Sequence, residues 1–162
     1  MFIGISAPIL GAIADTSGRR MPWIYVFSIM LIVGALGTWV GVPDGSNLTL
    51  MLYFFALGYI GTEFALIFTN AQLTTLGDQN EIGKISGSGF GFGYLGGVFA
   101  LAIALLFLVE QPNGTTFMLG IEPLFGFLNP ENMEGTRFVG PLAAIWFFIF
   151  AIPLPLHRTG HK

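Results

Sequence analysis

Two groups of residues in this 162-residue chain have types and spacings that could do chemistry. The first is Glu63, the sole ionisable side chain deep within a long apolar segment. On a helix Tyr59, Thr62, Glu63 and Asn70 fall along one broad side, by their spacings of three, four and seven. A carboxylate in hydrocarbon costs at least about 2.5 kcal/mol, so it should face a cavity or a partner. An acid so placed, able to take up and release a proton, is the expected residue for substrate contact or proton coupling. The bland alternative is a protonated acid hydrogen-bonded to a neighbouring helix for packing alone. The second group is Asp15, Gly18, Arg19 and Arg20, which gathers almost all the charge of its neighbourhood into a short link between two apolar segments. An acid, a glycine and two arginines there are expected to form a mobile cytoplasmic junction.

The elements that must position these residues follow from composition. Hydrophobic residues make up 54% of the chain and charged residues 9%, against about 25% charged in soluble domains, and mean hydropathy is +0.77. So little charge cannot cover a soluble surface. The expected fold is an all-α membrane protein, a multi-pass helical bundle whose first partner is the lipid bilayer. No basic patch marks a nucleic-acid binder. With no cysteine there is no disulfide framework and no cysteine metal site.

A crossing helix needs about 20 apolar residues. Residues 23–42, 48–69, 85–109 and 138–156 meet this, and residues 1–14 are apolar but short. That segment reads as the truncated end of a span, which makes the chain a fragment with a single partial transmembrane domain. Lys and Arg mark the cytoplasmic side. If the helices alternate, Arg19, Arg20, Lys84, Arg158 and Lys162 share one side, and the opposite loops hold only Arg137 among Asp44, Glu110, Glu122, Glu131 and Glu134. The expected topology is a multi-pass protein of the cell membrane with its C-terminus in the cytoplasm. Residues 117–128, apolar but interrupted, are expected at the outer interface.

Other patterns carry less. Gly91, Gly93 and Gly96 satisfy a dinucleotide-binding spacing, but inside a membrane span the βαβ context that motif requires is missing. Gly89, Gly93, Gly96 and Gly97 instead form a small-residue stripe suited to close helix packing. His157 and His161 lack a third ligand, so neither a metal nor another cofactor is expected. Asn47 and Asn113 begin glycosylation sequons, which matter only in a secretory-pathway host. No nucleophile–base arrangement or paired intramembrane carboxylates stand out, so no enzyme is expected.

Gly11, Asp15, Gly18, Arg19 and Arg20 resemble the signature of the cytoplasmic link between the second and third helices of the major facilitator superfamily, with Thr16 standing where a basic residue is usual. A second resemblance covers most of the chain outside residues 110–137. Asn70 to Leu73, Gly83 to Gly87 running on to Gly93 to Gly97, and Ile145 and Trp146 with Pro153 and Pro155 look like the vacuole-effluxer-like permeases. That branch includes autophagy-related vacuolar amino-acid exporters. The resemblance implies part of the N-terminal half of a twelve-helix transporter, from the end of helix two to helix six. In that setting Asp15, Arg19 and Arg20 would help close the cytoplasmic side, and the missing helices would be partners. The expected function is secondary transport of a small solute by alternating access, in a vacuolar membrane if the host is eukaryotic. The alternative is a small multi-pass scaffold or subunit without transport activity.

Overall fold

The computed structural model describes residues 21–73 and 79–151, together with Ala12. The first short span, the link at Asp15, Gly18, Arg19 and Arg20, and the C-terminal histidines lie outside the described residues. Four helices run through the rest: α1 (Met21–Gly37), α2 (Leu48–Leu73), α3 (Gln79–Phe107) and α4 (Glu134–Ala151). Each, α1 together with the 3-10 turn that follows it to Val40, is long and apolar enough to cross a membrane. Among the described residues the only β-pairing is one isolated bridge between Glu110 and Thr116. The protein is an all-α membrane bundle.

Residues 41–47 turn α1 back into α2. Gly45 takes φ +75° there, and Asp44 Oδ1 accepts hydrogen bonds from the Ser46 amide and the Ser46 hydroxyl, each at 2.9 Å. The Ser46 amide and then its hydroxyl hold the Asp44 carboxyl below its ordinary value of 3.8. A lowered folded value means this contribution is present above the ordinary value and is lost only as pH falls through the lowered one.

Glycine decides how closely α1 and α2 approach. A Cβ added at Gly61 would lie 2.6 Å from the Leu31 nitrogen and 2.7 Å from the Phe27 carbonyl oxygen. One added at Gly34 would run into the backbone of Gly58. Lipid tails are as apolar as leucine, so helices in a membrane gain from van der Waals contact rather than from escaping water. Beyond the glycines the pair closes on a ladder of rings, with Phe27 4.8 Å from Phe64 and 5.6 Å from Phe68, and Trp23 6.1 Å from Phe68. Ile24, Phe27, Phe64, Ala65 and Phe68 are the buried cluster.

The other two helices are held at the end of the bundle where the α1–α2 turn and the α3–α4 connection lie. Gly140 of α4 sits against Thr38 and, through an added Cβ, would come 2.6 Å from the Ala35 carbonyl. Helix α3 is exposed along most of its length, with Ala104 and Leu108 buried at its connection end. The helix termini depart from hydrophobic onset in an instructive way. Helix α3 begins at Gln79 and α4 at Glu134, because backbone bonding continues through a polar first turn that hydropathy does not register. The early start of α4 puts Pro141 inside the helix.

Candidate functional site

Helix α2 brings Tyr59 and Thr62 to one groove and Asn70 to another. Tyr59 and Thr62 line a cavity of about 550 Å³ between α1, α2 and α4, together with Thr38 and with apolar groups such as Phe55 and Phe147. Asn70 and Thr69 line a second cavity of about 490 Å³, whose far wall is Ser86, Gly89, Phe90, Gly93 and Tyr94 of α3. Eleven residues of helix, about 16 Å of axis, separate Tyr59 from Asn70. Glu63 is half-buried and lines neither cavity. The four residues lie on the side of α2 opposite its buried positions Gly58, Gly61, Phe64, Ala65 and Phe68, and Tyr59 and Thr62 look across the groove to Leu31, Gly34 and Ala35 of α1.

The first groove is an apolar chamber with few polar groups. The Thr62 hydroxyl donates to the Gly58 carbonyl at 2.9 Å and the Thr38 hydroxyl donates to the Ala35 carbonyl at 2.7 Å. Each hydroxyl thereby spends its proton on a carbonyl three or four residues back and keeps its oxygen as an acceptor. Such a chamber fits a small solute with an apolar body and a donor, a description that matches ordinary ligand pockets.

The small-residue stripe on α3 is open. No described residue lies within 4 Å of a Cβ built at Gly89, Gly93 or Gly97, and Gly96 meets only Trp146 Nε1, at 3.7 Å. Close glycine contacts occur instead at Gly34, Gly61, Gly135 and Gly140.

Sequence reasoning missed the polar joint at the connection end. Glu110 is only 8% exposed, and its carboxylate accepts from the Gly135 amide at 3.2 Å and from the Thr136 amide and hydroxyl at 3.1 Å each. A carboxylate on the first amides of α4 meets both the unpaired donors and the positive end of the helix dipole. Next along α4, Arg137 donates through Nε at 3.1 Å and Nη2 at 2.7 Å to the Trp39 carbonyl, with its guanidinium 4.6 Å from the centroid of the Trp39 ring. Glu110 and Arg137 thus tie the ends of α3 and α1 to the start of α4. Both were read only as loop charges, because their partners lie 26 and 98 residues away in sequence.

The described residues thus form a bundle of membrane-length helices with a sparsely polar groove. The description "vacuole effluxer Atg22 like" matches residues 1–158, and the chain belongs to that family. It is 25% identical over 157 residues, 96% of its length, to the uncharacterized MFS-type transporter YxiO of Bacillus subtilis strain 168. The chain spans 33% of that relative's length. No solved structure matches the chain.

Proposed function

We propose that this chain forms part of a secondary active transporter that moves a small solute across a membrane by alternating access, and that Glu63 carries its proton coupling. The observation that supports this best is the polar side of α2, where Tyr59 and Thr62 line the 550 Å³ groove and Glu63 stands one turn further along from Tyr59. Transport by rocking helical bundles requires a midplane site flanked by mobile helices, and the family membership favours this over a scaffold role. The name of the family is the ground for proposing efflux, and the resemblance to the vacuolar amino-acid exporters is the ground for an amino acid as the solute. The open glycines of α3, Gly89, Gly93 and Gly97, belong in this reading to a surface that receives a helix from outside the described residues.

Glu63→Gln keeps the shape and most hydrogen bonding while removing titration. In reconstituted vesicles of the protein at its natural length, the variant should still exchange solute but lose transport driven by an imposed pH jump. A gradient response equal to the unaltered protein would retire Glu63 as the coupling residue.

Asp15, Gly18, Arg19 and Arg20 take the gating role in this proposal, closing the cytoplasmic side through an ion-pair network. Asp15→Asn should shift the population toward inward-open, and a differential of about 1.4 kcal/mol suffices for a tenfold change in ratio. Cysteines placed to report inward opening should then label about tenfold faster; unchanged labelling would remove the mechanical role.

A further inference from the structure

The connection between α3 and α4 presents a dense apolar surface outside the four spans. Phe125 is 71% exposed and Phe127 83%, with Phe117, Met118 and Leu119 exposed beside them. Their placement in depth is set by hydrogen bonds. The Met118 amide donates to the Leu105 carbonyl at 3.2 Å and the Phe117 amide to the Val109 carbonyl at 2.9 Å. The segment therefore folds back along the last turn of α3, which belongs to the span Glu81–Phe107. The Phe125 ring packs 5.7 Å from Phe107 at the same level.

Part of the backbone of this segment is paired within the connection. The Thr116 amide donates to the Ile121 carbonyl at 2.7 Å, the Gly120 amide to the Thr116 carbonyl at 3.0 Å, and the Ile121 amide to the Thr116 hydroxyl at 3.3 Å. The Gln111 side-chain amide donates to the Phe117 carbonyl at 3.2 Å, and Thr116, the centre of this net, is wholly buried. Each such bond lowers the cost of seating irregular backbone at membrane depth, where hydrocarbon offers no partners. Leu124 and Phe125 also hold left-handed conformations at φ 47° and 59°, a strained turn that ends in an exposed phenylalanine on either side of Gly126.

We propose that residues 117–127 form a wedge inserted in the membrane leaflet on the connection side, with lipid as its partner. The Met118–Leu105 hydrogen bond and the Phe107–Phe125 contact join the segment to the end of a membrane-length span, so the bilayer that α3 crosses reaches the wedge. Interfacial segments bury phenylalanine and leucine at the boundary of headgroups and acyl chains. Zwitterionic lipid is the matching chemistry, because the connection carries Glu110, Glu122, Glu131 and Glu134 against Arg137 alone.

The chain contains no cysteine, so a nitroxide can be placed singly at Met118→Cys, Phe125→Cys or Phe127→Cys, with Glu131→Cys as a water-facing reference. The protein at its natural length, any further cysteine replaced, is reconstituted in phosphatidylcholine vesicles. Relaxation by oxygen, which concentrates in lipid, is then compared with relaxation by a water-soluble nickel chelate. Oxygen should exceed the chelate severalfold at the three wedge positions, with the order reversed at Glu131. Chelate dominance at Phe125 and Phe127 would put the loop in water and overturn the proposal. Low accessibility to both agents would show protein covering the surface, whether a second copy or another part of the same molecule, and would overturn it equally.

Discussion

Glu110 is the residue on which the connection end depends most. It is nearly buried, and its two oxygens serve three donors at the start of α4. Removing an acceptor from a buried donor costs about 1–3 kcal/mol, more than the bond itself contributes when both partners are present. Glu110→Ala should therefore lower the thermal stability of the detergent-solubilised protein by an amount of that order, about 1–3 kcal/mol. Glu110→Gln keeps one carbonyl oxygen and should lose a fraction of it. Equal stability of the alanine variant and the unaltered protein would show that the first turn of α4 finds other acceptors. Residue types alone announced Glu63 as a candidate, since one acid in an apolar span is visible in any reading of the chain. Glu110 was not legible in the same way, because its role is fixed by where α4 begins rather than by its neighbours in sequence. Nor did sequence foresee that Tyr59 and Asn70 face different cavities, which depends on where α3 and α4 stand beside α2.

At the scale of elements, the four helices were legible from their apolar runs, and their packing was not. The residues that set it, Gly34, Gly58 and Gly61, are scattered in ordinary apolar surroundings, whereas the conspicuous glycines of α3 meet almost nothing among the described residues. A high density of glycine announces a surface that can be approached closely; it does not say which helix approaches. The contact at Gly61 gives a direct test. Its added Cβ would meet backbone atoms of Phe27 and Leu31, which cannot rotate away as a side chain would. Overpacking of this kind costs about 1–3 kcal/mol, so Gly61→Ala should lower the unfolding temperature in detergent, and Gly61→Val more so. Gly83→Ala, at a position with open space around it, should be neutral or slightly stabilising through helix propensity. If the two alanine variants behaved alike, the close α1–α2 approach would not be setting the stability of the pair. The aromatic ladder from Trp23 to Phe68 would then be the contact that holds α1 and α2 together.

For the whole molecule, the distribution of basic residues sets the expected orientation, and the contacts of Arg137 bear on it. Arg137, the one basic residue on the connection side, is committed to the Trp39 carbonyl and ring, so it serves the joint between α1 and α4. Its presence there is explained by packing, and it offers little free charge to hold that side in the cytoplasm. Lys84, in contrast, is exposed near the start of α3 at the other end of the bundle. The expectation is that the connection faces outward and the start of α3 faces the cytoplasm, by the rule that free basic residues near span ends stay inside. Glu131 and Lys84 are both exposed and lie at opposite ends of the described bundle, which makes them suitable single-cysteine sites. A membrane-impermeant thiol reagent applied to intact cells should label Glu131→Cys and spare Lys84→Cys, with both labelled after the membrane is opened. In a host that sorts the protein to an internal membrane, the same comparison is made on sealed organelles, where the Lys84 position should be the labelled one. Labelling in the opposite sense would reverse the orientation. It would also move the proposed gate at Asp15, Arg19 and Arg20 to the other side of the membrane, since that link leads in sequence into α1, whose start lies at the same end as Lys84.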